Sequence, residues 1–405
     1  MHYNRLKVVW ICHFTNSEMQ NLLPLRKRRP EFASWIPNMI KGFENSNEIE
    51  LYIISPHEHL KRTTFVKLRN INYYFIPFGI PILHRHWFRF LRIDILFNFY
   101  GFRKKVKYVI DKIKPAIINL IGAENSYYSS SIFDYFLSYP VLITIQGFIS
   151  EFKNSEKLSY DIRNRIIVEE KILKMFNYFC GEQDSSNYIN SYNLNHTFFK
   201  LYYPVNELLV SQTPDKHYKY DCIYFGRISK EKGTEDFIKV ISEIKYVKNE
   251  VKACIIGSGN ILPFVNLAKE LNCENNIEFI GFVDTQKELF ELVKSSRVFL
   301  APPYNERLSS TLREAMLLKV PIVAYATGGI PYINEFDENI FLVKTGDYKE
   351  MARKTFLLLE DQVLASNLAL KAYNYAVKEY SLNINSERLQ NAYKFIINNF
   401  KNNGL

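Results

Sequence analysis

Short apolar runs alternate with helix-period segments along almost the whole chain. In the first half the runs Leu6–Phe14, Ile49–Pro56, Ile71–Phe78, Ala116–Gly122, Val141–Gly147 and Phe176–Glu182 predict strands. In the second half the same reading predicts strands at Tyr220–Arg227, Val251–Gly259, Asn276–Phe282, Arg297–Pro302 and Val320–Ala326. Between them, Phe237, Val240, Ile241, Ile244 and Val247 recur on one helical face, as do Leu308, Leu312, Ala315 and Met316 on another. Such alternation predicts parallel sheets with crossover helices, an α/β architecture. The stretch Leu201–His217 has two prolines, polar content and no long period, and it predicts a domain boundary.

Composition adds size and location. A chain of 405 residues with 47% hydrophobic content is long enough for two cores. No apolar run is long enough to span a bilayer, and the start MHYNRLKVVWICHF resembles a buried strand rather than a signal peptide. A cytoplasmic protein is expected. Cys12, Cys180, Cys222, Cys254 and Cys273 lie far apart, mostly in apolar runs, and are expected as buried reduced thiols.

Charge separates the halves. Of the net +10, residues 1–200 contribute 27 Lys+Arg against 17 Asp+Glu, whereas residues 201–405 carry 25 against 25. The densest part, His84–Lys107, mixes seven Arg/Lys with aromatic and aliphatic residues and one acid, Asp94. Two readings stay open: an amphipathic stretch against an anionic membrane, or a solvated helix whose long basic stems cover a core edge. A second cluster, Arg26–Arg29, is expected in a loop between Pro24 and Pro30. Nucleic acid is not expected as a partner, because the aromatics sit in strand-like runs and no binding motif is present.

Candidate chemistry concentrates in the second half. After the strand at Tyr220 comes GRISKEKG, where Gly226 permits a tight turn and Arg227 and Lys232 sit five apart in a loop before a helix. Arginine clasps phosphate oxygens through paired N–H donors and lysine adds a point charge, although a basic turn beside a glycine is usually just solvated. IIGSGN (Ile255–Asn260) has two glycines of a dinucleotide fingerprint but Leu262 where the third belongs, which favours a plain strand-to-helix turn. Gly281, Phe282 and Val283 follow another strand, where backbone groups can meet a nucleobase edge.

In PPYNERLSSTLREAM, Glu306 is expected in a loop and Glu314 near the first turn of a helix, eight positions on. Ser309, Ser310 and Thr311 can cap that helix, whose free N–H groups favour a phosphate. The bland alternative is a capping box, Thr311 with Glu314. Gly328–Gly329 in TGGIP reads either as a close approach to a ligand or as a plain turn.

Taken in order, GR-x4-KG, IGSG, GF, the strand ending in Pro302–Pro303, the two glutamates and GGIP resemble the retaining glycosyltransferases of family 4. The match covers Tyr220–Leu359 well and the first half loosely. It implies a GT-B fold: two Rossmann-like α/β domains facing each other across a cleft, here an acceptor-side domain 1–205, a nucleotide-sugar-binding domain 206–385 and a C-terminal helix 386–405 that packs back on the first. It implies that Arg227 and Lys232 hold the donor diphosphate, aided by backbone N–H groups at Ser309–Thr311. Glu314 would bind the ribose hydroxyls and Glu306 the transferred sugar. No metal or other cofactor is then required, the substrate being a UDP- or GDP-sugar.

The implied acceptor is lipid-linked or a surface polysaccharide, handled at the inner face of the membrane with residues 84–107 as a peripheral contact. Two alternatives are a small soluble acceptor and a catalytically silent scaffold. Four positions depart from the family pattern: Arg307 replaces a glycine after the first glutamate, and CHFTNS (Cys12–Ser17) replaces a Gly-Gly loop. Gln146 stands where a histidine is common, still able to hydrogen-bond a sugar hydroxyl, and Tyr332 replaces an acid.

Overall fold

The computed structural model describes residues 5–402 apart from 15–16, 24–34, 59, 79–92, 156, 215–216 and 308. The Arg26–Arg29 cluster and residues 84–92 of the basic stretch therefore lie outside the described residues. The chain divides into two compact units, residues 1–203 with 382–405, and residues 204–381.

The first unit holds eight strands: β1 Leu6–Ile11, β2 Ile49–His57, β3 Thr64–Leu68, β4 Ile71–Pro77, β5 Ile117–Ile121, β6 Val141–Thr144, β7 Tyr178–Gly181 and β8 Thr197–Lys200. They form one sheet in the order β3-β4-β2-β1-β5-β6-β7-β8, parallel except for the antiparallel hairpin β3–β4. The inner strands are continuous apolar runs, as a sheet covered on both faces requires: β5 is buried at every position. One core lies under Trp10, Leu51 and Ile53, the other under Val9, Ile118 and Ile143, so alternate residues of the same strands serve opposite faces. The last helix, Leu382–Asn402, belongs to this unit. Its Tyr393 hydroxyl takes hydrogen bonds from Trp10 Nε1 at 2.7 Å and Asn119 Nδ2 at 2.9 Å, which satisfies three polar groups inside an apolar core.

The second unit holds β9 Tyr220–Phe225, β10 Ala253–Ile256, β11 Ile277–Gly281, β12 Ser296–Ala301, β13 Ile322–Tyr325 and β14 Phe341–Val343. Their order is β11-β10-β9-β12-β13-β14, parallel throughout. In both units the first strand is flanked by one later strand on each side, β1 by β2 and β5, β9 by β10 and β12. At that reversal the connections leaving the two neighbouring strands run in opposite directions and open a crevice at the carboxyl ends, where ligands of such sheets bind.

All eleven predicted strands are present. Those missed are β3, β8 and β14, which are edge strands of three to five residues. All five cysteines are free and buried. Among the described residues no helix is long and apolar enough to cross a membrane.

Candidate functional site

In the second unit three loops leave the carboxyl ends of neighbouring strands: 226–233 after β9, 302–309 after β12 and 326–329 after β13. The first leads into the helix Thr234–Val247 and the second into the helix Ser310–Leu317. Two glycines let these loops touch. Gly233 has φ +77°, and a Cβ there would come within 1.8 Å of the Pro302 carbonyl oxygen. Gly328 has φ +53°, and a Cβ there would come within 1.6 Å of the Glu306 carbonyl oxygen. Both positions thus require glycine for conformation and for space. Backbone bonds complete the stitching, from Tyr304 N to Glu231 O at 2.9 Å and from Gly329 N to Arg307 O at 3.1 Å.

This framework brings Lys232 and Glu306 together. The Lys232 ammonium donates to Glu306 Oε2 at 2.6 Å and reaches the Asn305 carbonyl at 3.5 Å. The pair is mostly shielded, with side chains 29% and 19% exposed, so it is worth more than a surface ion pair. Arg227 differs: it is exposed, and among the described residues its guanidinium has no hydrogen-bond or ion-pair partner. It carries five donors at the mouth of the loop.

The second glutamate sits deeper than its sequence suggests. The helix N-cap is Ser309, whose hydroxyl accepts from Thr311 N at 3.3 Å. The Thr311–Glu314 capping box therefore does not form. Glu314 lies in the second turn, 9% exposed, with Oε1 accepting from Gln286 Nε2 at 3.2 Å and no bond to Oε2 among the described residues. Burial pushes its carboxyl up to about 7, against the Gln286 bond and the Arg313 charge, which pull it down. Gln286 opens the helix that follows Gly281, Phe282 and Val283, so the nucleobase-edge segment and Glu314 are linked through it. Phe282 is 69% exposed, an aromatic face at a sheet edge. Ser310 is exposed, and Ser309 and Thr311 are half-buried with their hydroxyls 2.7 Å apart.

Sequence reasoning missed the buttress beneath these loops. Asp236, buried on the helix 234–247, accepts hydrogen bonds from Tyr304 at 2.6 Å and Tyr325 at 2.8 Å and an ion pair from Lys239 at 2.9 Å. Nothing in local spacing links positions 236, 304 and 325. Gln146, expected with this set, belongs to the first unit, in the loop after β6, half-buried and without a side-chain hydrogen bond among the described residues.

A basic loop at one strand end, a helix start at the next, and a buried carboxylate on that helix suit a nucleoside diphosphate. Residues 179–378 match the family described as glycosyl transferases group 1. These residues belong to the group 1 glycosyltransferases. Among curated relatives, N-acetyl-alpha-D-glucosaminyl L-malate synthase of Bacillus anthracis is 26% identical over 179 residues, covering 43% of this chain and 44% of that protein. Poly(ribitol-phosphate) alpha-N-acetylglucosaminyltransferase of Staphylococcus aureus is 26% identical over 239 residues, covering 57% of this chain and 44% of its own length. The chain thus spans less than half the length of either relative. Among solved structures, the Anabaena protein HepE in complex with UDP superposes with a TM-score of 0.67 at 13% identity, covering 96% of this chain and 100% of that one. The fold of this chain is α/β of GT-B type.

Proposed function

We propose that the chain transfers a sugar, with retention at the anomeric carbon, from a UDP- or GDP-sugar to a lipid-linked or surface-polysaccharide acceptor at the cytoplasmic face of the membrane. The observation that carries the donor half is the Arg227 guanidinium, without a partner among the described residues, in the same loop as Lys232 and at the strand-order reversal. Arg227 and the helix N–H groups grip the diphosphate. Lys232 has three donors, enough to hold Glu306 and a phosphate oxygen at once. Glu314 Oε2 receives a ribose hydroxyl. Charge grows on the diphosphate as the sugar–oxygen bond breaks, so these donors stabilise the transition state more than the bound substrate. The acceptor oxygen bonds to the anomeric carbon on the same face, and its proton passes to the departing diphosphate. The cations and the helix start neutralise that charge without a divalent metal, so transfer should persist in EDTA.

For the acceptor, the Staphylococcus relative is named for a poly(ribitol-phosphate) polymer, and the first unit carries the chain's excess charge. In its described part, Leu96, Phe97, Tyr100 and Tyr108 are exposed near Lys104, Lys105 and Lys107, a pattern suited to an anionic lipid surface. The name of the Bacillus relative supports the second reading, a small soluble acceptor. Thermal-shift titration with UDP, GDP, ADP and their sugars tests the donor. Stabilisation by UDP or GDP that is lost in Arg227→Ala and Glu314→Ala supports it, and equal stabilisation of the variants removes both residues from the site. Flotation with anionic vesicles at low and high salt separates the acceptors, indifference to lipid favouring the soluble one.

A further inference from the structure

A single neutral side chain handles the buried Glu314 carboxyl. Gln286 Nε2 donates to Oε1 at 3.2 Å, and among the described residues neither side chain has another hydrogen bond. Glu314 is 9% exposed, and its Oε2, which accepts nothing, is not cut off from solvent. The two oxygens are thus divided, Oε1 to the protein and Oε2 to whatever enters.

Gln286 is held in place by its backbone rather than by this bond. It is the first residue of the helix Gln286–Lys294, whose N-cap Thr285 accepts from Glu288 N at 3.2 Å and which is seated by buried Phe290 and Val293. Upstream, Gly281 O accepts from Gly257 N at 2.9 Å, which pins the end of β11 to the loop after β10. The half-buried Gln286 amide therefore meets Glu314 from a fixed base. An ionised carboxylate only accepts, so the amide must turn its NH2 group toward it.

We propose that Gln286 is a positioning residue of the nucleotide site: it holds Glu314 Oε1, turns Oε2 toward a ribose hydroxyl and keeps the carboxylate charged. The inference rests on the reading of Glu314 as the ribose group. Burial pushes the Glu314 carboxyl up to about 7, and of the two effects that hold it down the Gln286 bond is larger than the Arg313 charge. Among the described residues Arg313 is the one charged group that acts on it. The helix 286–294 presents the neutral Gln286, Tyr325 of β13 is turned to Asp236, and Lys371, Lys378 and Glu379 of the helix 362–380, which packs on the helix 310–317, exert no pull. A hydroxyl donates most strongly to an ionised acceptor, so Gln286 strengthens ribose binding through Glu314. Without it the carboxyl holds its proton to higher pH, and the loss is greatest in acid and fades as pH rises.

Titration calorimetry on the full chain at pH 6, 7 and 8 tests this, with UDP, GDP and their 2′-deoxy and 3′-deoxy forms as probes. Gln286→Ala and Gln286→Met, which keeps the length but not the amide, should bind the nucleotide about ten-fold more weakly than wild type at pH 6 and about two-fold at pH 8, as loss of a hydrogen bond to a charged acceptor predicts. Each ratio is taken at one pH, so the titration of the nucleotide's own phosphate cancels. The melting temperature should hold, because the Thr285 cap and the Phe290 contact remain. Wild type should prefer the full ribose over at least one deoxy form by about ten-fold, and both variants should narrow that preference at pH 6. Affinities equal to wild type, or a loss of the same size at pH 6 and pH 8, overturn the positioning role. If Glu314→Ala abolishes the preference for the full ribose while Gln286→Ala leaves it intact, the positioning role falls and the ribose reading stands. A wild type that binds the deoxy forms equally, or binds no nucleotide, sinks the ribose reading of Glu314 and this inference with it.

Discussion

The two sheets share a strand-order reversal at an interior strand yet differ in how closely the loops beside it are tied to one another. In the second unit the loops are stitched, with Gly233 on Pro302, Gly328 on Glu306, Lys232 on Glu306 and Tyr304 on Asp236. In the first, Glu124, Arg165 and Gln146 end the connections with capacity to spare. The proposed diphosphate site gains from donors held in place before charge develops. The contrast is testable by asking whether changes in the second unit act on nucleotide while changes in the first do not.

The largest effect is expected at Arg227. Arg227→Ala removes a donor that the protein does not otherwise use, so transfer should fall by about 10²–10³-fold while the melting temperature holds. UDP titration and initial rates measure it. An Arg227→Ala enzyme within a few-fold of wild type would break the contrast at its strongest point.

Next comes Gly328→Ala. A methyl 1.6 Å from the Glu306 carbonyl oxygen at φ +53° forces the two loops apart, at a cost of about 2–4 kcal/mol. Denaturation should show the loss, and the nucleotide response should weaken with it, because the Glu306 loop moves. Unaltered stability would mean that the stitching is slack.

Titration of Glu314 gives a comparable effect with a defined sign. Its folded value of about 7 exceeds the ordinary 4.5, so the folded state holds a proton that the unfolded state has lost. Stability is fully present below about 4.5, falls as pH rises and reaches its floor above about 7. At about 1.4 kcal/mol per unit the upper bound is about 3 kcal/mol. Glu314→Gln does not titrate, so between pH 5 and 8 wild type should lose stability relative to it in urea unfolding. Parallel curves would show that Glu314 is better solvated than its burial indicates.

The same contrast explains what the sequence made legible. Central strands announce themselves because both faces are buried, as in β5 and β13. The edge strands β3, β8 and β14 bury one face or very few residues, and their short runs such as TFVKL carry no decisive period. Lys232, Glu306 and the glycine loops were readable because each lies in a contiguous segment with its own turn chemistry. The Glu314–Gln286 bond joins residues 28 apart and the Arg165–Glu124 bond residues 41 apart, and no local pattern encodes either. Of the two readings of this helix start, a cap from Ser309–Thr311 or the Thr311–Glu314 box, the structure has the first, with Ser309 in the cap.

The smallest expected effect probes the stitching without breaking it. Tyr304 is tied at three points: its hydroxyl to Asp236 at 2.6 Å, its N–H to Glu231, and its carbonyl to Thr327 Oγ1 at 3.3 Å. Tyr304→Phe removes only the first, and Asp236 keeps Tyr325 and Lys239. The ring and backbone ties remain, so the cost should be about 1 kcal/mol, the worth of one hydrogen bond to a charged group partly offset by the surviving partners. Because Glu306 is two residues away, the turnover rate should drop about three- to ten-fold while nucleotide affinity stays within two-fold. A loss confined to affinity would put Tyr304 in the nucleotide grip instead, and no loss at all would leave Asp236 as a support for the helix rather than for the loop that carries Glu306.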